Sequence, residues 1–234
     1  MFLLIVAIAI RGSRRIGRRF RWTVGYCVAA SGLTMISLEV LLLLGFQAIY
    51  GYVYHKLALL IALFMAGMAL GNWLRLRSAL RFPLGNTRGS IMWMAGLQVC
   101  AALAPVLLYA FLASLAGVRN AQVLAVVSQL FFPLMALLAG TLGGYQFGVA
   151  TEVFLIDPDA APSRMGTLYG VDLLGACVGS LTVSAFLLPL FGFFKTAQLI
   201  ALVNLIPAIL ALSVARSGLS AGGQQSAAFL TPQR

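Results

Sequence analysis

The chain has 234 residues, of which 62% are hydrophobic and only 9% are charged, and its net charge is +11. A soluble domain carries roughly 25% charged residues, so this composition excludes a water-exposed globular fold. Several uncharged stretches reach the about 20 residues that a helix needs to cross a bilayer. The composition therefore predicts an all-α integral membrane protein, a polytopic helical bundle.

The first 22 residues are predicted to be a short apolar start followed by an arginine-rich cytoplasmic segment. The opening MFLLIVAIAI is too short to span a bilayer. It is either the end of a helix whose beginning is missing or a short interfacial or re-entrant segment. Six cations then lie in residues 11–22, from Arg11 to Arg21. Cations beside a membrane span orient helices and contact anionic lipid headgroups, so nucleic acid is not the expected partner.

Six transmembrane helices are predicted between residues 23 and 215 from hydropathy and from the charged segments that separate them. They cover Thr23–Tyr50, Leu57–Leu74, Ile91–Ala116, Ala121–Phe154, Gly166–Leu190 and Phe194–Ala215. The tail, residues 216–234, is small and polar and is predicted to be disordered and cytoplasmic.

The distribution of cations predicts the orientation. Six alternating crossings place thirteen of the sixteen Lys and Arg residues on one side, and leave Lys56, Arg119 and Lys195 on the other. Under the positive-inside rule the side with thirteen is the cytoplasm. Both termini are therefore expected in the cytoplasm.

Two carboxylates stand inside predicted spans. Glu39 lies near the middle of the first, with Ser31 eight residues before it and Gln47 eight after, so the three share one helical stripe. A charge at bilayer depth costs about 2.5–3.5 kcal/mol on insertion scales, so such a residue should face the bundle interior. Glu39 is either a structural acid or a group that handles a substrate, a proton or a cation.

Glycines at four-residue spacing predict close helix packing, because small residues let two membrane helices approach. The residues that form this pattern are Gly67, Gly71, Gly140, Gly144, Gly148, Gly166, Gly170, Gly175 and Gly179. A close approach by a ligand is the alternative interpretation. Asp172 lies among the last four glycines, so it should face protein or a wet cavity. Gln146 lies near the cytoplasmic end of the fourth span.

Catalytic and metal-binding motifs are missing from the sequence. It contains no P-loop, GxGxxG, HExxH or GxSxG pattern, and its one histidine leaves no room for a Ser-His-Asp triad. Cys27, Cys100 and Cys177 form no CxxC pair, so they are interpreted as small buried apolar residues. Neither catalysis nor a metal or other cofactor is expected.

Three segments carry a resemblance to a known family: residues 31–71, 140–150 (GTLGGYQFGVA) and 166–192 (GTLYGVDLLGACVGSLTVSAFLLPLFG). Together they resemble the membrane domain of bacterial spermidine synthase-like proteins, in particular its second six-helix half. The resemblance implies half of a bundle like those of major-facilitator transporters. It suggests Glu39, Gln47, Gln146 and Asp172 as sites for substrate or ion binding. The chain lacks the synthase domain that the family fuses to this part.

Two functions are consistent with these features. The first is transport of a small cationic, polyamine-like or proton-coupled substrate, for which a homodimer or a second membrane half would be needed. The second is a non-catalytic membrane anchor or scaffold for a separate synthase-like or redox partner. An intramembrane enzyme is disfavoured, because no nucleophile–base pair is visible.

Overall fold

A computed structural model describes residues 16–51, 53–81, 87–115, 117, 120–155 and 165–229. All regular secondary structure within these ranges is helical. The helices are α1 (Ile16–Tyr50), α2 (Tyr54–Arg81), α3 (Thr87–Leu115), α4 (Ala121–Leu155), α5 (Met165–Thr182) and α6 (Leu188–Phe229), and a π-helical turn (Val183–Leu187) joins α5 to α6. The apolar start and the first arginines of the chain lie outside the described residues.

Five helical stretches of the described chain are long and apolar enough to cross a membrane. They are Thr23–Tyr50, Tyr54–Leu80, Gly89–Leu115, Val126–Phe154 and Met165–Ser213, the last of which includes α5, the π turn and the first half of α6. The chain is thus a multi-pass membrane protein built as a bundle of apolar helices.

Two helices run past their predicted ends. α2 continues from the predicted end at Leu74 to Arg81, because Leu76, Ala79 and Leu80 favour helix and Pro83 is the first residue that cannot continue it. Arg75, predicted to begin a loop, is therefore a helical residue. α6 continues to Phe229, although disorder was predicted from residue 216; the sequence has no proline there before Pro232.

Helices α2 and α4 run parallel and touch through glycines. A Cβ atom at Gly71 would overlap the carbonyl oxygen of Thr141, and a Cβ at Gly144 would overlap that of Met68. Gly67 and Gly140 make the same kind of contact one turn earlier, and Gly148 meets the side chains of Asn72 and Arg75. The backbones of the two helices are therefore in direct contact over about two turns.

Helix α5 packs against α1 in the same parallel way. Gly175 contacts the backbone of Ala29, and Gly179 contacts that of Leu33, one turn further along both helices. Gly166 and Gly170 differ from the predicted packing role: no heavy atom of the described residues lies within 4 Å of where their Cβ atoms would be.

Helix α6 runs in the opposite direction to α5. Pro207 lies beside Cys27, near the start of α1, whereas Ile200, earlier in α6, belongs to a cluster with Leu38 and Leu41 further along α1. The chain therefore reverses between α5 and the middle of α6. Gly192 provides the break, because its φ of 70° and ψ of 179° are not helical and are favourable only for glycine.

Helix α1 is the centre of the bundle, since it contacts each of the other described helices. Two apolar clusters surround it. The first holds Leu41, Phe132 and Leu108, and the second holds Val28, Met94 and Val149, all of them nearly inaccessible. The second cluster lies next to the most polar part of the interior.

Candidate functional site

A narrow cavity in the bundle interior collects polar side chains from four helices. Its lining comprises Cys27, Val28 and Ser31 of α1, Met94 and Gln98 of α3, Gln146, Phe147 and Ala150 of α4, and Asp172 of α5. No part of it has room for a water molecule. The helices are therefore closed around this site.

Asp172 reaches the cavity because α5 lies directly against α1. A Cβ atom at Gly32 would overlap the backbone carbonyl of Asp172 and would lie 2.7 Å from its carboxylate oxygen Oδ1. Gly32 thus lets the two helices approach closely enough for the acid to face inward. Asp172 is half-buried, and its carboxylate has no hydrogen-bond donor or ion-pair partner among the described residues.

Gln146 is buried in the same place without any partner. Its exposed fraction is 2%, and neither Nε2 nor Oε1 of its amide makes a hydrogen bond within the described part of the chain. Leaving a buried polar group unpaired costs about 1–3 kcal/mol. The sequence predicted Gln146 as a site residue, and the structure places it in one cavity with Asp172.

Gln98 is a site residue that sequence reasoning missed. It is fully buried, and its Nε2 donates to the backbone carbonyl of Cys27 at 2.7 Å. Its own backbone carbonyl accepts a bond of 3.0 Å from Nδ2 of Asn204. Its Oε1 has no donor among the described residues. A lone glutamine or asparagine within an apolar span, as in GLQVC and VNLIP, was the available signal.

Glu39 and Gln47 are not brought to this cavity. Glu39 is 7% exposed and Gln47 is partly buried, but neither lines the space around Asp172. A helix rises 1.5 Å per residue, so Glu39 lies about 12 Å along α1 from Ser31. The two acids that were both proposed as site residues therefore do not line the same cavity. The shared stripe puts Ser31 and Glu39 on one face of α1 but at different depths in the bundle.

A second polar cluster ties the C-terminal halves of α2 and α4 together. Arg75 is 5% exposed and donates through Nε to Oε2 of Glu152 at 2.9 Å, with a second bond from Nη2 to the same oxygen. Its Nη1 also reaches Oγ of Ser78 at 3.3 Å. Arg75 and Glu152 neutralise each other's charge, so the role of this cluster is to hold α2 and α4 together.

The chemistry of the cavity is dominated by acceptors. Asp172, when ionised, only accepts hydrogen bonds, and the Gln98 amide, which donates to the Cys27 carbonyl, has an unpaired acceptor in Oε1. Within the described lining, Gln146 has both its amide nitrogen and its amide oxygen unpaired. The arrangement therefore suits a positively charged group or a donor of several hydrogen bonds. Among the described residues, no three His, Cys, Asp or Glu side chains are grouped as metal ligands.

No family model matches the chain, and neither the curated proteins nor the solved structures provide a match. Only the geometry of the site therefore bears on function.

Proposed function

We propose that this chain is a membrane carrier subunit that moves a small cationic solute, with Asp172, Gln98 and Gln146 as its binding site. One observation supports this: an unpaired carboxylate and two amides with unpaired oxygens converge on one enclosed space. Such groups are expensive to bury in a membrane protein and typically mark substrate or ion pathways. A bound cation would give each acceptor a partner.

The carrier would have six crossings, with both termini in the cytoplasm of a bacterial inner membrane. This count is supported by the reversal at Gly192. A single helix over the 49 residues of Met165–Ser213 would be about 73 Å long at 1.5 Å per residue, more than twice the ~30 Å hydrocarbon core. Six helices correspond to half of a major-facilitator-type carrier, so the subunit would work as a homodimer or with a second membrane half.

The solute would be polyamine-like if the resemblance to spermidine synthase-like membrane domains extends to function. The closed cavity is then one state of a transport cycle. Opening it requires α5 to move away from α1, which would separate the close contacts at Gly32, Gly175 and Gly179.

Uptake into proteoliposomes tests this proposal. We expect the wild-type protein to accumulate radiolabelled putrescine or spermidine, and Asp172→Asn to lose most of that uptake. Glu39→Gln is the matched control, because it neutralises a buried acid that does not line the cavity. Uptake by Asp172→Asn at the wild-type rate, or no uptake of either amine by any variant, would contradict the proposal. Monodisperse elution of each variant establishes that it is folded.

A scaffold function is the second candidate, and the observation that favours it is the absence of room for even one water molecule in the cavity. In that case the buried polar groups only position helices, and the chain holds a separate synthase-like or redox partner. Stable co-purification with such a partner, unaffected by Asp172→Asn, is the outcome that would distinguish it from the carrier.

A further inference from the structure

A second cavity lies between α1, α5 and α6, beside the π turn. It has a volume of about 160 Å³. Leu33 of α1 forms one side, and the other sides are formed by Val178, Gly179 and Thr182 of α5, Val183 and Leu187 of the π turn, and Leu199, Ile200 and Val203 of α6. Unlike the cavity at Asp172, it has room for a guest molecule.

The cavity exists because of the local backbone. α5 touches α1 through Gly179, which has no side chain to fill the space beside the contact. The π turn that follows is wider than an α-helical turn, since its hydrogen bonds run from i to i+5. α6 returns on the far side after the reversal at Gly192. A gap therefore remains where the three helices diverge.

The lining excludes water as the occupant. Every residue in it is aliphatic or glycine except Thr182. A buried water needs two to four polar partners, and apolar cavities of about this size stay dry and accept small hydrophobic molecules. An empty cavity also leaves the surrounding side chains without dispersion contacts. The chemistry of the space favours a hydrocarbon guest.

The surface around the cavity identifies the source of that hydrocarbon. Val178, which lines the cavity, is 47% exposed on the outside of α5, and its neighbours Leu174 and Leu181 are 67% and 63% exposed. This face is apolar and belongs to a stretch that crosses the membrane, so its surroundings are lipid tails. We propose that the cavity at the α5–α6 joint is a binding site for one acyl chain of a membrane lipid.

Photolabelling with a lipid tests this inference independently of any transport activity. The full-length protein is placed in nanodiscs of phosphatidylethanolamine and phosphatidylglycerol that contain a phosphatidylglycerol with a diazirine in the distal half of one acyl chain. After irradiation, the labelled residues are mapped by mass spectrometry. Val183 and Ile200, each only 1% exposed, are the diagnostic positions, because a carbene reaches them only by entering the cavity.

We expect labelling of Val183 and Ile200 comparable with that of exposed Leu174, and none at Val149, which is 0% exposed and belongs to the other apolar cluster. Val203→Phe should fill the space and abolish labelling at Val183 and Ile200, while Leu174 remains labelled. Leu199→Phe serves the same purpose if the first variant does not fold. Background labelling of Val183 and Ile200 in the wild type, or labelling that persists in a folded filled variant, would overturn the proposal.

Discussion

At the scale of single residues, the unusual feature is a set of polar side chains that the protein buries without partners. Gln98, Gln146 and Asn204 are each nearly or fully inaccessible, and each has at least one amide atom without a hydrogen bond in the described structure. Selection for stability alone would replace such groups with apolar ones, because burying an amide without hydrogen-bond partners lowers the free energy of unfolding. Gln98 and Gln146 line the Asp172 cavity, and Asn204 bonds to the backbone of Gln98, which is the reason to propose a function for that cavity.

Gln146→Leu should therefore raise stability and lower the proposed activity. Removing two unpaired amide atoms should increase the free energy of unfolding by about 1–3 kcal/mol, measured by thermal or denaturant unfolding in detergent. Gln98→Leu is the comparison, because the Gln98 amide bonds to the Cys27 carbonyl at 2.7 Å and its loss offsets the gain. A Gln146→Leu protein less stable than Gln98→Leu would show that Gln146 has a structural partner.

At the scale of helices, close backbone contact decides which pairs form. Apolar side chains give little preference between helices inside a bilayer, since lipid tails are as apolar as leucine. Glycine changes this by allowing carbonyl oxygens and Cα atoms to meet, as at Gly71 and Gly144 between α2 and α4. The Arg75–Glu152 ion pair then fixes the register of the same two helices.

Gly71→Ala should separate α2 from α4. The new methyl group would overlap the Thr141 carbonyl, and overpacking of this kind costs about 1–3 kcal/mol, against a gain in helix propensity of at most about 1 kcal/mol. Gly96→Ala in α3 is the matched control, because nothing described lies within 4 Å of that position. We expect a lower melting temperature for Gly71→Ala and an unchanged or higher one for Gly96→Ala; equal values would argue against the close contact.

At the scale of the whole molecule, the reversal at Gly192 sets the direction of α6. α5 runs with α1 and α6 runs against it, so the C-terminal end of α5 and the N-terminal end of α6 meet near this glycine. The same reversal brings Asn204 back to Gln98 and Pro207 back to Cys27. The polar network beside the cavity therefore depends on it.

Cysteine labelling tests the resulting topology. In a variant with the three native cysteines replaced by alanine, Phe194→Cys should react with a membrane-impermeant maleimide on intact cells, because the proposed orientation puts the reversal at the outer surface. Met165→Cys, which the same orientation puts on the cytoplasmic side, should react only in inside-out vesicles. Both positions are partly exposed in the structure, at 43% and 39%. Reaction of Met165→Cys on intact cells, or of Phe194→Cys from neither side, would contradict six crossings with cytoplasmic termini.

The sequence by itself determined the helical membrane class. A chain that is 62% hydrophobic and has long uncharged runs has a composition that fits a lipid bilayer and not water. The family resemblance also suggested Gln146 and Asp172, which the structure places in one cavity. The sequence could not determine that this cavity lies at the depth of Ser31, about 12 Å along α1 from Glu39, nor that Gln98 joins the lining from α3. Helical periodicity shows on which face of its helix a residue lies. It does not show which other helix packs against that face, or at what depth in the bundle. Those depths are set by the glycine contacts and by the reversal at Gly192, and only the tertiary structure contains them.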